Sequence, residues 1–95
     1  MIDAHMVAMV KRYLAASAER SEAVDIASIL WTIAAKEKAV PSREEINAAL
    51  SEVPGLRVSC NGGKVFLSAV GEASELTSAH FNTAYTAYVQ YANVQ

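Results

Sequence analysis

The spacing of hydrophobic positions changes along this chain, and each change marks an element. Ile2, Met6, Met9, Val10, Tyr13 and Leu14 recur at helical spacing, which predicts a first helix over Asp3 to Ser17 with one apolar face. Asp3 stands at its amino end, where a carboxylate is favourable. A polar stretch from Ser17 to Ser21 follows. Ile26, Ile29, Leu30 and Ile33 then form one face of a second helix, expected from about Glu22 to Lys38 with Ser21 as its cap. Val24, Ala27, Trp31 and Ala34 form the adjoining face, and the polar strip is only Asp25, Ser28 and Thr32. A helix apolar over so much of its girth is expected to be central, with neighbours on several sides.

Pro41 ends that segment, because Val40 before it is pushed toward extended geometry. The next helix is expected from Ser42 to Val53. Ser42-Arg43-Glu44-Glu45 matches a capping box, and Ile46, Ala49, Leu50 and Val53 give the core face. Pro54-Gly55 stops it. The period then falls to two. Leu56, Val58 and Cys60 alternate with Arg57 and Ser59, and Val65, Leu67 and Ala69 alternate with Lys64, Phe66 and Ser68. This is a β-hairpin over Leu56 to Ala69. A two-residue turn at Asn61-Gly62 or at Gly62-Gly63 puts the same residues on the core face, whereas a simple three-residue turn would mix the faces. Two strands alone are marginal in water, so the hairpin is expected to lie on helices or to gain a third strand, for which Ala39-Val40 is the nearby candidate. Phe66, on the other face, is expected to be covered by the first or last helix. After a polar link from Gly71 to Glu75, a long helix is expected from Thr77 to about Asn93. Phe81, Ala84, Tyr85, Tyr88 and Ala92 form its stripe, with Val89 beside it, and Asn82, Thr86, Gln90 and Asn93 lie opposite.

The fold class that follows is mainly α with a small β-hairpin: four helices and a two- or three-stranded antiparallel wing. Ninety-five residues fit a single domain, with residues 1–70 as a helical and hairpin core and 71–95 as a carboxy-terminal helix. Eighteen alanines reinforce the helical reading. The single cysteine excludes an internal disulfide, and the two histidines, His5 and His80, have no partners at metal-ligand spacing, so no metal and no cofactor is expected. Cys60 is expected to be a small buried hydrophobe rather than a reactive thiol. The apolar run Ile26 to Ala35 is too short to span a bilayer, and no signal peptide opens the chain. A cytoplasmic protein without a membrane partner is expected.

Charge changes the picture further. Residues 1–40 carry five basic and five acidic groups, residues 41–75 three and five, and residues 76–95 none. No basic stripe of the kind that neutralises phosphate is visible. Arg43, Asn47 and Ser51 are spaced four apart on one face of the third helix, and Arg and Asn are suited to guanine and adenine edges. Arg57 and Lys64 could reach a phosphate backbone from the hairpin. Glu44 and Glu52 flank the helix face and oppose that use, so nucleic acid is an alternative partner and not the favoured one. The uncharged tail is the better candidate. Phe81, Tyr85, Tyr88 and Tyr91 bring large area and polar tips to a helix that must cover something, its own core or another chain. Neither a phosphate-binding glycine loop nor a nucleophile elbow is present, and the chain is expected not to be an enzyme.

The order of helices and hairpin resembles the winged-helix superfamily. The residues that carry this are Ser42-Arg43-Glu44-Glu45-Ile46, the run Ala48-Ala49-Leu50, and Leu56-Arg57-Val58 leading to Lys64-Val65-Phe66-Leu67. The match spans Asp25 to Val70 and implies a DNA-binding transcriptional regulator. It departs from the pattern in one respect: only one helix separates Pro41 from Leu56. Either the first helix of the chain completes the trio, or the arrangement is a different α+β fold. The favoured function is a small protein-interaction module, self-associating or partner-binding through the last helix, with DNA binding as the alternative.

Overall fold

The computed structural model describes residues 2–94. Helix α1 covers Ala4–Glu19. Asp3 caps it, accepting from the His5 backbone N–H at 2.9 Å, and Met6, Met9, Val10 and Leu14 turn inward at the expected spacing. Ile2 lies ahead of the helix and is exposed. Ser21 then adopts a left-handed conformation, φ 56°, that reverses the chain.

The second helix begins later than expected. Strand β1, Val24–Asp25, comes first, and helix α2 spans Ile26–Glu37. Its cap is Asp25 and not Ser21. The Asp25 Oδ1 accepts from the Ala27 N–H at 3.0 Å, which satisfies one of the orphan amides of the first turn. Ser21 is unavailable because it makes the preceding turn. Val24 is better buried in a sheet, where it pairs with Leu67.

The third strand is therefore β1 and not Ala39-Val40. Lys38 closes α2 in a left-handed conformation, φ 58°. Ala39 and Val40 lead into buried Pro41 outside any strand, and β3 is already flanked on both sides by β1 and β2. Helix α3, Arg43–Ser51, carries the capping box in full. Ser42 Oγ accepts from the Glu45 N–H, and Glu45 Oε1 accepts from the Ser42 N–H at 2.8 Å. The other carboxylate oxygen of Glu45 accepts from the Asp3 N–H at 2.8 Å. One buried carboxylate thus ties the amino ends of α1 and α3 together, and these two helices pack on each other.

Strands β2, Arg57–Asn61, and β3, Lys64–Ser68, form the hairpin, and the sheet order is β1-β3-β2, antiparallel throughout. The turn is Gly62-Gly63, with φ 61° and 77° and Cys60 opposite Val65. Positive φ at both central positions is the conformation whose twist matches the flanking strands, and glycine adopts it without strain. Val58, Val65 and Leu67 face the core as the alternation requires. Cys60 does not share their burial. It is exposed on the edge strand β2, whereas Val65 opposite it lies on β3, the strand against which α2 and α4 pack.

The chain then crosses the outer edge of β2. The Val58 N–H donates to the Ala73 carbonyl, and the Glu72 and Ala73 N–H groups both reach the Val58 carbonyl at 3.3 Å. Gly71 allows this crossing: a Cβ there would stand 3.0 Å from Arg57 Cβ and 3.3 Å from the Val58 oxygen. Leu76 enters the core, and α4, Ser78–Val94, runs across α2 and against β3. Phe66 on β3 is half-buried. The hydrophobic cluster draws on every helix, from Met6 in α1 to Ala84 in α4. Three helices precede the hairpin, and the order helix, strand, two helices, two strands is compatible with a winged-helix-like arrangement.

Candidate functional site

Two surfaces carry the residues that the sequence singles out. The first is the outer face of α3. Its polar side chains turn toward the crossing segment. The Asn47 amide donates from Nδ2 to the Leu76 carbonyl at 3.0 Å, and its Oδ1 accepts from the Leu76 N–H at 2.7 Å. Arg43 Nη1 reaches the same carbonyl at 3.4 Å, while its Nη2 stands 3.6 Å from Glu44. Ser51 Oγ donates to the Ala48 carbonyl of its own helix at 2.7 Å. Leu76 is fully buried, so its backbone groups need these partners.

Electrostatics on this face follow the helix end. The backbone N–H of Glu44 itself, at the first turn of α3, holds the Glu44 carboxyl below the ordinary carboxylate range, and Arg43 adds to the effect. Glu72 and Glu75 lie exposed on the crossing segment. A cleft of about 310 Å³ opens between the end of α3, Pro54 to Arg57, and Ser74 and Glu75. Arg57 and Lys64 are exposed on the hairpin.

The second surface is made by α4 and α2. The tyrosine stripe is divided by the way α4 docks. Ala84 is buried, and Phe81 and Tyr88 are half-buried against the core. Tyr85 and Tyr91 stay 42% and 36% exposed. The rings of Phe81 and Tyr85 lie 6.0 Å apart, and those of Tyr85 and Tyr88 meet edge-on at 5.5 Å, within the range of favourable aromatic pairs.

Trp31 belongs to this surface, although the sequence reading placed it on an apolar face of a covered helix. It is 40% exposed and lines an open notch with Asp25, Ser28 and Tyr91. The Tyr91 hydroxyl donates to Asp25 Oδ2 at 3.4 Å. The signal in the sequence is its company at helical spacing: Ser28 and Ala35 share its side of α2.

Neither histidine lines the cleft beside α3 or the notch beside Trp31. His5 Nε2 is 2.8 Å from Glu37 Oε1. His80 closes a capping turn on α4: its N–H donates to Thr77 Oγ1 at 3.1 Å, and its Nδ1 accepts from the Thr77 N–H at 3.3 Å. Among the described residues no three His, Cys, Asp or Glu side chains gather as a metal site requires, and no helix is long and apolar enough to cross a membrane.

No protein-family model, curated protein or solved structure matches the chain. The arrangement of its own side chains therefore carries the functional reading.

Proposed function

We propose that this chain is a small non-enzymatic interaction module that binds another protein through the exposed side of α4, and that a second copy of itself is the partner. The observation that carries the reading is the pair Tyr85 and Tyr91, left open to solvent on a helix without a single charge. Exposed tyrosines bring much contact area at a small cost in side-chain entropy. The absence of charge favours self-association in particular. In a two-fold interface each side chain near the axis meets its own copy, so any charge there would repel itself. Phe81 and Tyr88 support the interface from below, since both pack on the core. A cytoplasmic setting fits this reading.

Light scattering on the purified chain tests it. The expected mass is near twice 10.2 kDa, and Tyr85→Glu is expected to return it to the monomer value without unfolding, because Tyr85 lies outside the core. A wild-type protein that stays monomeric at high concentration rejects self-association.

One observation favours a second reading, that of a DNA-binding regulator of the winged-helix superfamily: the order of helices and strands. On that reading Arg43, Asn47 and Ser51 face bases, and Arg57 and Lys64 face phosphates. It requires the segment around Leu76 to leave α3, because Asn47 already spends both ends of its amide there. A salt-dependent mobility shift on duplex DNA is the expected sign, and no shift at low salt rules it out.

A further inference from the structure

We infer that the notch between α2 and α4 is a receptor for an alkylammonium group, the side chain of a lysine presented by the bound protein. The inference rests on the interaction reading above and adds the chemistry of the contact.

The notch measures about 400 Å³ and is walled by Trp31 and Tyr91, with Asp25 and Ser28 also lining it. Both rings are partly exposed, so a visitor can reach them. An aromatic face attracts a cation through its quadrupole, and tryptophan is the strongest of the aromatic side chains in this respect. The fold itself contains such a contact elsewhere: Lys36 Nζ lies 5.6 Å from the centre of the Tyr13 ring.

Asp25 decides the sign of the visitor. It is half-buried at the amino end of α2. Among the described residues no basic group stands within ion-pair distance of it; the ion pairs are His5–Glu37, Lys11–Glu52, Arg20–Glu22 and Arg43–Glu44. The helix dipole offsets part of its charge, but no cation closes the notch. Neutral ligands would leave that carboxylate unanswered.

The geometry also separates lysine from arginine. Oδ1 already accepts from the Ala27 N–H at 3.0 Å, inside the first turn of α2. Oδ2 has only the longer bond from the Tyr91 hydroxyl at 3.4 Å. One weakly engaged carboxylate oxygen suits the point contact of an ammonium, whereas a guanidinium gains most from two parallel bonds to both oxygens. The tetramethylene stem would lie along the rings while the ammonium meets Oδ2.

Trp31 is the only tryptophan in the chain, so its indole N–H gives one unambiguous nuclear magnetic resonance signal from a residue that lines the notch. The experiment titrates N-acetyl-lysine amide into the full chain carrying Tyr85→Glu, which keeps the α4 surface free of a second copy. The controls are N-acetyl-norleucine amide, which has the stem without the charge, and N-acetyl-arginine amide. The expected result is a saturable shift of the indole signal with the lysine compound. Asp25→Asn should weaken binding by about five-fold or more, since it removes the charge while asparagine still caps α2. An equal response to the norleucine compound overturns the inference, as do tighter binding of the arginine compound, an unchanged affinity in Asp25→Asn, or no shift at all in folded protein. The mass of the wild-type chain by light scattering reads self-association independently, so failure of either idea is seen without the other.

Discussion

The outer face of α3 and the outer face of α4 contrast in what they have left to offer. On α3 the polar groups are already engaged. Asn47 clasps the backbone of Leu76 from both sides, Arg43 leans on the same carbonyl, and Ser51 bonds to its own helix. On α4 the polar face bonds only to itself, as Thr83 and Thr86 do to carbonyls one turn back, and Tyr85 remains open. Charge already favours α4 over α3, since Glu44 and Glu52 flank Arg43 and Asn47 while the last helix carries no charge; the hydrogen bonds on α3 add a second reason. A hydrogen bond made inside the fold must be broken before the same group can serve a partner, whereas an exposed ring has only water to lose.

The contrast predicts opposite consequences for substitutions on the two faces. Asn47→Ala deprives the buried Leu76 N–H of its partner and is expected to cost about 2 kcal/mol of stability. Tyr85→Ala leaves the core intact, loses only its ring contacts with Phe81 and Tyr88, and should cost under about 1 kcal/mol. Urea denaturation of both variants measures the difference. If Asn47→Ala were neutral, the α3 face would not be engaged as described, and the contrast would collapse.

Gly71→Ala probes the segment that covers α3. The added methyl would meet Arg57 Cβ and the Val58 carbonyl, neither of which can yield without moving β2. A loss of about 1 kcal/mol is expected, with faster amide exchange at Glu72 and Ala73, whose N–H groups bond to Val58. Exchange that stays slow at both would mean that the crossing holds without the close approach at Gly71.

How much of this was legible in the sequence divides along the same line. The capping box at Ser42 and Glu45 was, because both partners lie within one turn. So were the core positions of α1 and α3 and the inward face of the hairpin, which periodicity reports directly. The turn at Gly62-Gly63 was one of two open choices. Strand β1 was not legible, since two residues carry no period and its partner β3 lies some forty residues away. Nor was the part played by Leu76. It sits at the end of a polar link without repeating pattern, and only the fold brings it beneath Asn47. The exposure of Trp31 and Cys60 went unread for a related cause: alternation says which way a side chain points, not how far the covering layer extends.

The smallest expected effect lies at Glu44, and its sign can be worked out. The first-turn amide at its own position holds its folded pKa below the ordinary value. A carboxyl with a depressed folded pKa favours the folded state above its unfolded pKa, and this contribution fades as pH falls through the folded value. Glu44→Gln should therefore destabilise the protein slightly at neutral pH, and the gap from wild type should close in acid. Glu44 is fully exposed, so solvent screening keeps the gap small and added salt should narrow it. Thermal melts across pH 2 to 7 would read it, a range chosen to bracket the ordinary Glu pKa of about 4.3. A gap that widened toward acid would mean that the carboxylate strains the end of α3 instead of supporting it. A gap of the expected sign would mean that this charge, like the amide of Asn47, serves the fold.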